Sequence, residues 1–138
     1  MKNLKIFNIV VTILLFLISC TSEQNSVEIT CEQFSDKKHF TSNIKVMNNQ
    51  SLFVSLCSNP TTGFQWAEKV HISNKNIIKQ VRHNIISPKD SLPGTASKQE
   101  WTFKAINKGK SILELDYSRP WEGGEKKEWS LTIYVIVD

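Results

Sequence analysis

Alternation with a period of two runs through most of this chain, and no stretch sustains the period of a helix. The clearest case is Trp129–Val137, where Leu131, Ile133, Val135 and Val137 alternate with Ser130, Thr132, Tyr134 and Ile136. Successive side chains of a strand point to opposite faces, so such a segment buries one face and leaves the other open. Val27 and Ile29 predict a short first strand, and Ile44 and Val46 alternate with Lys45 and Met47. Leu52, Val54 and Leu56 share one face of a denser strand; Trp66–Ile72 and Ile77–Ile86 follow, broken at Ser73-Asn74-Lys75-Asn76. Trp101 and Phe103 alternate with Glu100, Thr102 and Lys104, and Ile112–Tyr117 makes another strand after the turn at Asn107-Lys108-Gly109-Lys110. The best helical candidate, Val70–Val81, is rich in Asn and poor in helix formers. Seven to eight short strands joined by turn-rich loops predict an all-β chain folded as a β-sandwich.

The N-terminus follows other rules. Lys2 and Lys5 precede an apolar run, Ile6–Ile18, interrupted by Asn8 and Thr12. The run is shorter than the roughly 20 residues needed to span a bilayer and has the proportions of a signal peptide. Leu17-Ile18-Ser19-Cys20 resembles a bacterial lipobox, which predicts lipidation of Cys20 and a protein exported and anchored to a bacterial cell envelope. The other reading is ordinary cleavage near Ser19, leaving a free Cys20. The expected organisation is a signal peptide over 1–19, a lipidated N-terminus and linker with a short extra strand over 20–43, and the sandwich domain over 44–138.

Lys2 and Lys5 leave with the signal, so the formal charge falls from +4 to +2. The remaining lysines are interleaved with acids, as in Glu125-Lys126-Lys127-Glu128, and no basic stripe points to nucleic acid. Export allows a disulfide. With Cys20 lipidated, Cys31 and Cys57 form either one bridge or two small apolar core residues. His39, His71 and His83 stand apart in sequence, and no Gly-x-Ser-x-Gly, phosphate loop or metal-ligand spacing occurs. The composition therefore gives no catalytic residue, no metal and no cofactor.

Three connections are too particular in composition for generic turns. Ser58-Asn59-Pro60-Thr61-Thr62-Gly63-Phe64 runs straight into Gln65-Trp66. Pro60 stiffens it, Gly63 permits a positive φ, and the threonines can bond nearby backbone. Ser91-Leu92-Pro93-Gly94-Thr95-Ala96-Ser97 is small and flexible; Ser118-Arg119-Pro120-Trp121-Glu122-Gly123-Gly124 sets an Arg and a Trp beside a proline. Two strands separate each loop from the next, so all three should emerge at one end of a sandwich. Trp and Arg are the residues that most often dominate interface energetics.

Asn59-Pro60-Thr61-Thr62-Gly63-Phe64, with Trp66 two residues on, resembles the first binding loop of the chagasin-like family of cysteine protease inhibitors, and Arg119-Pro120-Trp121 resembles its third. Trp101 stands where an aromatic residue follows that family's second loop. The resemblance covers about Ile44 to Val137. It implies an immunoglobulin-like sandwich and a reversible, non-covalent inhibitor, a monomer whose partner is a papain-like cysteine protease. Asn59, Pro60, Thr61, Thr62, Gly63 and Phe64 would lie over the catalytic thiol, Arg119, Pro120 and Trp121 against one wall, and Pro93, Gly94, Thr95 and Ala96 against the other. One departure stands out: the family's second loop is Gly-x-Gly-Gly, and this chain has Gly94-Thr95-Ala96-Ser97. The competing reading is a lipid-anchored immunoglobulin-like adhesin or envelope binding module, which would not require the first- and third-loop motifs together.

Overall fold

A computed structural model describes residues 25–89, 92 and 94–138. The signal segment, Cys20 and Pro93 lie outside the described residues. Nine strands and one short helix appear among those described: β1 (Ser26–Ile29), α1 (Cys31–Asp36), β2 (His39–Val46), β3 (Ser51–Ser58), β4 (Gln65–Trp66), β5 (His71–Ile72), β6 (Ile78–Ile86), β7 (Ser97–Ala105), β8 (Gly109–Ser118) and β9 (Trp129–Val137). They form two sheets, β1-β3-β7-β6 and β2-β9-β8-β4, with β5 also pairing with β8. The arrangement is an immunoglobulin-like β-sandwich.

The alternation read from the sequence is what packs between the sheets. Leu52, Val54 and Leu56 of β3, Trp101 and Phe103 of β7, Leu113 and Leu115 of β8, and Leu131, Ile133 and Val135 of β9 are all buried. Trp66 is buried too, and its indole N–H donates to the Cys57 carbonyl at 2.8 Å. An aromatic side chain of this size contributes about 3–5 kcal/mol to stability when buried.

The sandwich begins at Ser26, and a boundary at 44 falls inside β2. β1 runs parallel to β3 and β2 parallel to β9, so the N-terminal strands extend both sheets. α1 carries the chain between them. Thr30 caps it: its hydroxyl accepts from the Gln33 N–H at 3.3 Å while the Gln33 side chain accepts from the Thr30 N–H at 2.8 Å. Phe34 of α1 is fully buried, stacked 4.8 Å from Trp129 and packed on Phe40 and Trp66. Cys31 of α1 is joined by a disulfide to Cys57 of β3, their Cα atoms 5.1 Å apart.

The segment from Trp66 to Ile72, expected as one strand, is broken into β4 and β5. The break at Ala67-Glu68-Lys69 has a use, because the Glu68 carbonyl accepts from the Gln80 side-chain amide at 2.7 Å and from the Trp101 indole at 3.2 Å.

Candidate functional site

β3, β6 and β8 end, and β4, β7 and β9 begin, at the same end of the sandwich. The connections there are loop 1 (Asn59–Phe64), loop 2 (87–96) and loop 3 (119–128).

Loop 1 is braced from within. Pro60–Thr62 form one turn of 3-10 helix capped by Asn59. The Asn59 side-chain oxygen accepts from the Thr61 N–H at 3.3 Å and from the Thr61 hydroxyl at 2.7 Å. The Thr62 hydroxyl donates to the Asn59 carbonyl at 2.7 Å. Both threonines are exposed, yet their hydroxyl protons are already committed to Asn59. Gly63 closes the turn at φ 77°, a conformation that disfavours residues with a Cβ.

Tyr117, at the end of β8, fixes loop 1 from below. Its hydroxyl accepts from the Asn59 N–H at 2.9 Å and donates to the Asn59 carbonyl at 3.1 Å. Its ring stacks on Trp129 at 4.6 Å and on Phe64 at 5.5 Å. Sequence analysis missed Tyr117, although its place two residues before Arg119 was visible.

Loop 3 leans on loop 1. The Arg119 guanidinium lies 4.5 Å over the Phe64 ring, within cation–π range. Arg119 Nε is buried with no hydrogen-bond partner among the described residues, and the ring face supplies electrostatic compensation. The Trp121 ring covers Gly63 so closely that a Cβ there would sit 2.7 Å from Trp121 Cη2. Even so, Trp121 remains 51% exposed. Lys126 Nζ donates to the carbonyls of both Arg119 and Trp121, which holds the loop folded back on itself.

Among the described residues of loop 2, Leu92, Gly94 and Thr95 carry its ties. The Thr95 N–H and hydroxyl both bond the Leu92 carbonyl, at 3.0 and 2.7 Å. Asn59 Nδ2 reaches the Gly94 carbonyl at 3.5 Å. Gly94 has φ 89°, whereas Ala96 and Ser97 are not among the residues with positive φ. The two positions where the chain departs from Gly-x-Gly-Gly therefore need no glycine. Ser97 already belongs to β7, buried, with its hydroxyl donating to the Ser58 carbonyl at 3.2 Å.

Among the described residues the three histidines lie apart, each with its own partner. His39 pairs with Ser130, His71 with Glu114 and His83 with Gln99, each separately. Among the described residues no cluster of three His, Cys, Asp or Glu could hold a metal ion. What the end offers is a stiff, partly apolar ridge of loops on a sandwich, the form of a protein that binds another protein's cleft.

Comparison with known proteins gives that class its family. Residues 45–135, more than half of the chain, match the model of the chagasin family of peptidase inhibitors. The chain belongs to that family, and is an inhibitor, not an enzyme. It is 28% identical over 122 residues to amoebiasin-2 of Entamoeba histolytica, covering 88% of this chain and 94% of that protein. It is 26% identical over 101 residues to chagasin of Trypanosoma cruzi, covering 72% and 92% respectively. The fold is similar to the crystal structure of the cysteine protease inhibitor EhICP2 from Entamoeba histolytica, at TM-score 0.63 and 23% identity over 82% of this chain and 96% of that one. It is also similar to PbICP-C in its complex with falcipain-2, at TM-score 0.59 and 17% identity over 83% and 99%.

The same comparisons correct the expected localisation. The matching relatives are inhibitors of the eukaryotic parasites Entamoeba and Trypanosoma, not bacterial envelope lipoproteins. They overturn the expected location at a bacterial envelope; Cys20, the expected lipidation site, lies outside the described residues.

Proposed function

We propose that this chain inhibits papain-like cysteine proteases reversibly, as its family membership supports, by seating loops 1, 2 and 3 together in the active-site cleft. The observation that carries the reading is the construction of loop 1. A protease cleaves an extended segment, and Pro60–Thr62 form a closed 3-10 turn held by Asn59 and by the Tyr117 hydroxyl. Such a turn can cover a catalytic thiol without offering it a scissile bond, so no covalent intermediate is needed. Thr61, Thr62 and Gly63 lie over the thiol in this reading. Arg119, Pro120 and Trp121 bear on one wall of the cleft, and Pro93, Gly94, Thr95 and Ala96 on the other. Stiff loops lose little freedom on docking, which favours affinity.

Titration of the purified domain against papain, with a trypsin-like protease as control, tests it. Papain should be inhibited reversibly with one-to-one stoichiometry and trypsin left active. Trp121→Ala should raise the inhibition constant roughly 30-fold, the scale of a 2 kcal/mol hot spot. Thr62→Trp should weaken binding by steric clash, with a fall in melting temperature no larger than loss of the hydroxyl bond to the Asn59 carbonyl, about 1 kcal/mol, accounts for. If both variants inhibit papain as wild type does, the loops are not the contact surface.

A further inference from the structure

Ile85 is not among the buried core residues, yet an irregularity in its strand sets the face it occupies. β6 is an edge strand, and its pairing with β7 slips by one residue between Gln80 and Arg82. Before the slip, Gln80 stands opposite Phe103; after it, His83 stands opposite Trp101 and Ile85 opposite Gln99. Strict alternation from Gln80 would have turned Arg82, Asn84 and Ile86 to this face. The bulge at Val81 replaces them with His83 and Ile85, as bulges do where a side chain must be re-aimed. Ile85 nevertheless remains 62% exposed.

Ile85 lines a groove of about 280 Å³ together with Pro120 and Trp121 of loop 3 and Gly63 and Phe64 of loop 1. Of the polar side chains that line it, Ser97 donates to the Ser58 carbonyl, Gln99 Nε2 donates to the Ser58 hydroxyl at 3.1 Å and Gln99 Oε1 lies 3.0 Å from His83 Nε2, while Gln65 is exposed. An entering group meets the carbon surfaces of Ile85, Phe64, Pro120 and Trp121, with Ser97 and Gln99 already hydrogen-bonded within the protein. The occupant that fits is an apolar side chain.

We infer that Ile85 is a contact element beyond the three loops, and that with Pro120 and Trp121 it grips an apolar side chain on the rim of the target protease's cleft. This rests on the three-loop reading, since the groove is continuous with loops 1 and 3. It makes Ile85 a determinant of which papain-like protease is bound, because rim side chains differ between proteases while the thiol they surround does not.

Inhibition constants and thermal melts of wild type, Ile85→Ala, Ile85→Asp, Trp121→Ala and the Ile85→Ala/Trp121→Ala double variant test it against a panel of papain-like proteases. Ile85→Ala should raise the inhibition constant about 5- to 10-fold on proteases with an apolar rim, the scale of burying part of an aliphatic side chain. Ile85→Asp should raise it more, and neither should shift the melting temperature appreciably. The loss from Ile85→Ala should shrink in the Trp121→Ala background, because both side chains hold one group. Wild-type potency for both Ile85 variants on every inhibited protease would overturn the inference and leave the three-loop reading standing. If wild type inhibits no papain-like protease, both fall. If wild type elutes as a dimer that Ile85→Asp converts to a monomer, the groove holds a second copy of this chain and the inference is overturned.

Discussion

Gly63 is where loops 1 and 3 touch, and replacing it separates their contributions. Gly63→Ala imposes two penalties. An L-residue in the left-handed region costs about 1–2 kcal/mol, and Gly63 has φ 77°. The new Cβ would also lie 2.7 Å from Trp121 Cη2 and 3.4 Å from Cζ3, so the indole must move by several tenths of an ångström to restore ordinary contact. Trp121 is half exposed and can move without disturbing the core. The stability cost should therefore be little more than the backbone strain, a fall in melting temperature of about 5–10 °C for a domain near 100 residues. Gly94→Ala is the matched control: its φ is 89° and no atom of the described residues lies within 4 Å of the added Cβ. Its melting temperature should fall by a similar amount. Inhibition then reads the indole seat. Displacing a hot-spot aromatic from its bound position should cost Gly63→Ala roughly tenfold against papain, part of the 30-fold or so expected for removing it. In a Trp121→Ala background that loss should nearly vanish, since the ring it displaces is gone. A tenfold loss that persists in that background would mean that Gly63 meets the protease directly and that the packing of Trp121 over it is incidental.

Tyr117→Phe should lower stability by about 1–2 kcal/mol, because the part-buried Asn59 N–H loses its partner; faster hydrogen exchange at the Asn59 amide and faster release of papain should accompany it, and unchanged exchange would refute the strut. The Cys31–Cys57 bridge closes a separation of 26 residues, so the Cys31→Ser/Cys57→Ser variant should lose about 3 kcal/mol of stability, and neither cysteine of the native, oxidised protein should react with an alkylating agent. The Lys38 hydrogen bond and charge hold the Glu128 carboxyl below its usual value. That contribution is complete above the unfolded carboxylate pKa and is lost as pH falls through the lower folded value. Melting curves taken from about pH 6 down to pH 2 should therefore show a shallower acid decline for Glu128→Gln than for wild type, and parallel declines would count against the pair.

The strands were legible because burial here follows alternation, and the two loop motifs were legible because each residue type does a separate local job. Pro60 starts a tight turn, Gly63 ends it, and Asn59 caps it. What escaped the sequence has definite physical reasons. α1 is six residues long, too short for a helical period to show, although its capping box Thr30-x-x-Gln33 was there to be read. β2 begins at His39 as an edge strand with half-exposed residues, so its alternation is weak until Ile44 and Val46. Ser97 was read with loop 2 because serine suits a turn, but its side chain ties β7 to the end of β3. Tyr117 reads as one more inward residue of β8, and nothing in its spacing shows that its hydroxyl serves another loop.

The bulge in β6 is the most instructive loss, because a sequence read with strict alternation puts Ile85 on the wrong face. From Gln80 onward, a regular strand would put Ile86 inward beside the third loop and leave Ile85 facing outward. The structure reverses them, and the reversal places an exposed isoleucine in one groove with Pro120 and Trp121. Loops 1 and 3 lock to each other through Tyr117, Gly63 and Phe64, while among the described residues of loop 2 Gly94 is bonded to loop 1 by a long hydrogen bond from Asn59. The end of the sandwich thus consists of a rigid pair of loops, flanked by the β6 edge and by loop 2. A rigid pair suits the invariant part of a protease cleft, the thiol and its immediate walls. The β6 edge and loop 2, which lie outside the pair, are where discrimination between one papain-like protease and another can be built without disturbing the turn that covers the thiol.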